Sequence, residues 1–154
     1  MLNQIVGGDT LSSRLGTEVR DRQGLTYGIY SYFQAGRHPG PFLISMQTAP
    51  DDAQKAIDST IALLQQLRAQ GITEAELEAA KRSITSSYPV DLASPDTLAS
   101  VILSNDIYGL SAEEIRQFPN RVEAVTMAQV QQAIDDLIQP DRLLIVTAGP
   151  DAAS

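Results

Sequence analysis

Arg20 and Tyr27 are the two side chains whose types and spacing best suit chemistry. They stand seven residues apart, with Gly24-Leu25 between them. A helix, a glycine turn and a strand would carry the guanidinium and the phenol towards one edge of a sheet. Both groups donate hydrogen bonds to carbonyl oxygens. Donors aimed at a developing oxyanion are what peptide-bond cleavage needs in addition to a nucleophile and a base. The same spacing also allows a plainer arrangement, with Tyr27 in the core and Arg20 paired to Glu18 or Asp21. Arg14 and Arg22 lie close by, and this small basic patch could bind carbonyls or carboxylates or simply be a solvated helix face.

The rest of the chain offers no catalytic residue. His38 is the only histidine, beside Pro39 in a turn, and there is no cysteine. Catalytic zinc normally takes three protein ligands, so no metal site is expected in this chain. Glu74, Glu76 and Glu78 would scatter around a helix axis rather than converge, and Glu113-Glu114 reads the same way. No Gly-x-Ser-x-Gly elbow, phosphate loop or dinucleotide fingerprint occurs.

The elements that would position Arg20 and Tyr27 follow from periodicity. Leu2–Val6 reads as a helix end, closed by Gly7-Gly8 in a left-handed cap. Thr10, Ser12 or Ser13 caps the next helix, with Leu11, Leu15 and Val19 inward and Gly24 ending it. Residues 27–34 alternate as a strand, with Tyr27, Ile29, Ser31 and Phe33 on one face and Tyr30 and Tyr32 on the other. After a turn at residues 35–40, residues 42–48 return as its hairpin partner.

A helix then carries Ile57, Ile61, Leu64 and Leu67 to Gly71. Thr73-x-x-Glu76 is a capping box for a helix that Pro89 stops. Ser94-Pro95 opens a third, Ser111-x-x-Glu114 a short fourth ending near Phe118-Pro119, and Thr126-x-x-Gln129 a fifth with Val130, Ala133, Ile134 and Leu137 inward. Residues 142–148 read as a closing strand, followed by a tail at 151–154. This order predicts an α+β fold: a small mixed or antiparallel sheet with helices packed on one face, spanning residues 1–150. Three strands are few for so many helices, so an N-terminal strand is expected to be missing.

The chain has 154 residues, enough to bury roughly 68–70% of its unfolded surface. A hydrophobic fraction of 43% argues against disorder. A net charge of −8 disfavours nucleic acid and anionic membranes as partners. No apolar run approaches the length of a membrane span, and no signal-peptide pattern opens the chain. The absence of cysteine suits cytoplasm and periplasm alike.

The Gly7-Gly8 break, Ser13-Arg14-Leu15, Arg20, Gly24-Leu25-x-Tyr27, the hairpin, Ile72-Thr73-x-x-Glu76-Leu77 and the closing strand come in one order. Together they resemble the non-catalytic half of the pitrilysin/insulinase zinc peptidases, whose inverted motif His-x-x-Glu-His is absent here. The resemblance implies a substrate-binding half that closes over a zinc-bearing half, in the same polypeptide or a separate subunit, to hydrolyse peptides. Arg20 and Tyr27 would correspond to that half's arginine and tyrosine, which bind substrate main chain and support the tetrahedral intermediate. Zinc is then expected in the partner, and this chain alone should be inactive. The same fold also serves structural or assembly subunits with no proteolytic role, the alternative reading. A missing strand would leave an open sheet edge and invite self-association.

Overall fold

The computed structural model describes residues 1–150, so the tail at 151–154 lies outside the described residues. The chain divides into two compact units. One comprises Leu2–Ile72 with the chain from Ala128 onward, and the other comprises Met1 with Thr73–Met127.

The first unit holds the only sheet found among the described residues. β1 (Gly28–Phe33) and β2 (Phe42–Gln47) pair antiparallel, from Gly28 opposite Gln47 to Phe33 opposite Phe42. Gln34 N–H donates to the Pro41 carbonyl at 3.0 Å and extends the ladder by one pair. The alternation predicted for β1 is present: Ile29 and Ser31 are buried, while Tyr30 and Tyr32 are exposed and stacked at 6.3 Å. Opposed residues share a face, so Phe42, Ile44 and Met46 lie on the inner side with Ile29 and Ser31. The buried side chains of α1 (Leu2–Val6) and of the helix that follows it supply Leu2, Ile5, Val6, Leu15 and Val19 to the core.

The glycine pair after α1 works differently from the sequence expectation. Neither Gly7 nor Gly8 has a positive φ, and the helix end is closed instead by their N–H groups, both donating to the Asn3 carbonyl. Gly7 is needed for close approach. Its carbonyl accepts from Ser31 N–H at 2.7 Å, and a Cβ there would sit 2.6 Å from Ser31 Oγ. Ser31 Oγ in turn donates to Asn3 Oδ1 at 2.8 Å, so the start of the chain is clamped to the middle of β1.

α2 (Ala53–Gln70) buries Ala56, Thr60, Leu63, Leu64 and Leu67. Its buried stripe is rotated from the predicted one, because Ile57 and Ile61 are only half-buried. Thr60 can line the core because its hydroxyl donates to the Ala56 carbonyl at 2.8 Å. Gly71, at φ +68°, ends the helix as predicted. α6 (Met127–Leu137) buries Val130 and Ile134; Ile138 is buried and Leu137 is half exposed, the reverse of the expectation at that end.

The predicted closing strand does not form. Pro140–Arg142 makes a 3₁₀ turn, and residues 143–148 belong to no regular element. A strand exists only against a partner edge, and this segment pairs with none among the described residues.

The second unit is helical. α3 (Glu74–Leu92) begins at the predicted capping box: Thr73 Oγ1 accepts from Glu76 N–H, and Glu76 Oε2 accepts from Thr73 N–H at 2.7 Å. It runs past Pro89, where a stop was expected. Pro89 is exposed, so the carbonyl it frees can be hydrated rather than break the helix. α4 (Pro95–Ile107) is capped by Ser94, with Pro95 at its first position. α5 (Glu113–Glu123) likewise continues through Pro119. Tyr88 of α3 packs on Phe118 of α5 with ring centres 4.5 Å apart, and its hydroxyl donates to the Ile115 carbonyl.

Candidate functional site

Arg20 sits in a π-helix, Gly16–Arg22, rather than the α-helix expected there. Ser13 is the cap among the three proposed, its Oγ accepting from Gly16 N–H at 3.2 Å. Asp9, overlooked in the sequence, accepts from the N–H groups of Leu11 and Ser12. Its place just after two glycines and before a helix was the available clue. Leu15 and Val19 are buried as expected, but Leu11 is exposed. Gly24, at φ +66°, turns the chain out of the helix, and Leu25 N–H donates back to the Val19 carbonyl at 3.0 Å.

The connection from Gly24 to β1 is stapled by threonines. Thr26 Oγ1 lies 2.8 Å from the Gly28 carbonyl oxygen and 2.5 Å from that of Gln47, either of which can take its single proton, and accepts from Gly28 N–H. Thr48 Oγ1 donates to the Leu25 carbonyl at 2.6 Å. Gln23 bridges Glu18 and Ser59 of α2. Neither threonine was anticipated; a hydroxyl residue just before β1 and another just after β2, at the same end of the hairpin, were the only sign.

Arg20 and Tyr27 are brought together, through the backbone of Tyr27. Arg20 Nε donates to the Tyr27 carbonyl at 2.9 Å, and Arg20 NH1 pairs with Asp21 at 2.5 Å. Tyr27 lies one residue before β1 and is 98% exposed, its hydroxyl bonded to no described residue. The plainer arrangement is therefore half right: Arg20 does pair with Asp21, but Tyr27 is not a core residue. Arg22 pairs with Glu18 at 3.1 Å, and Arg14 donates to the Gly71 carbonyl at 3.0 Å. The basic patch is thus largely engaged within the fold.

The site holds no metal ligands. No group of three His, Cys, Asp or Glu among the described residues converges, and His38 lies exposed in the hairpin loop. The residues present do not fit zinc. A separate apolar cavity of about 520 Å³ in the helical unit is lined by Ile84, Tyr88, Val101, Ile115, Phe118 and Val122 among others, and includes neither Arg20 nor Tyr27.

The stretch that carries Arg20 and Tyr27 lies within a match to a known family model. The model described as peptidase M16 inactive domain covers residues 1–84, more than half of the chain. The chain belongs to this family. The resemblance read from the sequence, to the non-catalytic half of the insulinase-type peptidases, is thereby upheld, as is the α+β fold.

Relatives of this M16 domain agree. The uncharacterized zinc protease YmxG of Bacillus subtilis is 28% identical over 144 residues, 94% of this chain and 35% of that protein. The chloroplastic stromal processing peptidase of Pisum sativum is 33% identical over 89 residues, 56% of this chain and 7% of that protein. A crystal structure of the peptidase M16 inactive domain from Pseudomonas fluorescens has a TM-score of 0.81 at 30% identity, covering 91% of this chain and 33% of that one. The chain spans about a third of the length of the curated bacterial relatives it matches.

Proposed function

We propose that this M16 inactive domain is the substrate-binding half of a zinc metalloendopeptidase and closes over a zinc-bearing half to hydrolyse peptides. One observation carries the reading. Arg20 fixes the Tyr27 backbone at 2.9 Å, yet the Tyr27 side chain is left fully exposed with a free hydroxyl. A large aromatic side chain set rigidly at a strand entrance and given nothing to pack against suits contact with something outside the chain. Within a closed chamber, the Tyr27 hydroxyl would donate to the oxygen of the scissile carbonyl as it gains charge. Arg20 would bind substrate main-chain carbonyls. The metal and general base would come from the other half, a reading supported by the lack of any His, Cys, Asp or Glu group among the described residues that could hold a metal ion.

The zinc protease names of the relatives support a proteolytic setting, and the chain's share of their length supports a partner half. The test is Tyr27→Phe in the chain combined with its zinc-bearing half. Loss of one oxyanion donor should lower turnover roughly 10²–10³-fold. Melting temperature should stay unchanged, because an exposed hydroxyl with no partner contributes little to stability. Arg20→Ala should weaken substrate binding as well as turnover, since a guanidinium on main chain also acts in the ground state. Unaltered turnover in both variants would leave the domain an assembly subunit.

A further inference from the structure

The hairpin has a second face, turned away from the core. Opposed residues share it: Gly28 with Gln47, Tyr30 with Ser45 and Tyr32 with Leu43. None of these six residues is charged. Tyr30 is 48% exposed and Tyr32 42%, and their rings stack with centres 6.3 Å and planes 26° apart. A strand added at either edge of a sheet lies in its plane, so this face does not depend on how far the sheet extends. Exposed aromatic rings gathered on one uncharged face mark a contact surface, where a scattered apolar residue would not.

What opens the same strand indicates the occupant. Tyr27 stands one residue before β1, fully exposed, with its carbonyl held by Arg20. Tyr30 and Tyr32 follow three and five residues later. At about 3.3 Å per residue they lie up to about 10 Å and about 17 Å further along. An extended peptide advances at the same rise and alternates its side chains with the same period of two. A peptide that places its scissile carbonyl at Tyr27 and runs along β1 would therefore turn two side chains towards this face. They are the ones three and five residues from the cleaved bond, one over each ring.

We infer that Tyr30 and Tyr32, with Leu43 opposite Tyr32, form a specificity subsite for bulky apolar side chains of the peptide substrate, three and five residues from the scissile bond. The inference rests on the substrate-binding role proposed for Arg20 and Tyr27. Without charge on this face, no acidic or basic side chain is drawn to it by ion pairing. The stacked rings instead offer flat apolar area, which suits phenylalanine, tyrosine and leucine. Tyr27 acts at the bond, and Tyr30 and Tyr32 select what lies beyond it.

Cleavage of a peptide library by the chain combined with its zinc-bearing half tests this, with kcat/KM read position by position. The unmodified chain should prefer Phe and Leu to Ser three and five residues from the cut, on one side of it. The double variant Tyr30→Thr/Tyr32→Thr keeps β-branched residues at part-exposed positions, so the domain should stay folded. In it the preference over Ser should fall roughly 2–10-fold for each ring lost. Tyr30→Phe/Tyr32→Phe should keep the preference, because the ring and not the hydroxyl makes the contact. A preference unchanged in the threonine variant overturns the inference. Tyr27→Phe separates the two readings. Lowered turnover there, with the preference intact in the threonine variant, removes the subsite alone. Unaltered turnover in Tyr27→Phe removes the substrate-binding role and the subsite with it. A second measurement needs no cleavage. An extended peptide with phenylalanine at alternate positions, titrated into the chain, should shift the Tyr30 and Tyr32 ring resonances in NMR spectra, and the same peptide with serine in their place should not. Ring resonances that stay fixed at millimolar peptide also overturn the inference.

Discussion

Gly7→Ala probes the clamp that sets the register of β1 and therefore the place of Tyr27. A Cβ at Gly7 would stand 2.6 Å from Ser31 Oγ, 2.8 Å from Ser31 N and 2.9 Å from Leu15 Cδ1. The Ser31 nitrogen is backbone in a paired strand, and Leu15 is fully buried, so neither can yield by rotating into solvent. Overpacking of this kind costs about 1–3 kcal/mol. If β1 shifts away, Ser31 N–H loses the Gly7 carbonyl, and an unsatisfied buried donor costs about 1–3 kcal/mol more. The sum, about 2–6 kcal/mol, is a large part of the roughly 5–15 kcal/mol that holds a domain folded. At about 2–4 °C per kcal/mol for a chain of this size, the melting temperature should fall by about 4–24 °C. Amide exchange at Ser31 should accelerate in parallel. Ser31→Ala removes the nearest contact, so the double variant should lose less than the two single variants added together. Gly36→Ala is the control: its nearest neighbour is 3.9 Å away, and it should be within about 0.5 kcal/mol of the unmodified chain. An unchanged melting temperature in Gly7→Ala would refute the close approach and the register argument with it.

Two further outcomes concern the helical unit. Thr73→Ala removes one half of the capping box at α3 and should cost about 0.5–2 kcal/mol in chemical denaturation, with Thr73→Ser recovering most of it. Burial holds the Tyr88 phenol above its usual 10.0, so above that pH the unfolded chain loses this proton before the folded chain does. Stability should therefore be full below pH 10.0 and fall as pH rises past it, and Tyr88→Phe should remove that part of the alkaline dependence in denaturant titrations across this range.

Local grammar made much of the fold legible. The capping box at Thr73 needs only two residues three apart, and the hairpin needs only alternation around a glycine-rich turn. What failed depended on distant partners. Thr60 looked polar until its hydroxyl met the carbonyl of Ala56, which lets it line the core and rotates the buried stripe of α2. Gly7 looked like a helix cap, but its reason is Ser31, 24 residues further along. Pro89 looked like a stop because its exposure was not visible. Residues 142–148 were read as a closing strand because they are β-prone, and propensity could not reveal that no strand forms there. At the site, Arg20 and Tyr27 were found as a pair, while Thr26 and Thr48, which hold the connection between them and β2, gave no periodic sign.

Arg20 is placed to do two jobs because a guanidinium has five N–H groups in a fixed plane. Two are engaged, Nε with the Tyr27 carbonyl and NH1 with Asp21, leaving three. The first bond is backbone positioning: it ties the end of the π-helix to the residue that opens β1. The second is a surface pair with both side chains part exposed, worth about 1 kcal/mol at most. A substrate carbonyl could therefore take the free donors, or even displace Asp21, without disturbing the bond that fixes Tyr27. Lysine cannot divide its charge this way, having one nitrogen in place of three. Arg20→Lys should accordingly keep the charge and still loosen Tyr27, which would separate positioning from electrostatics at this site.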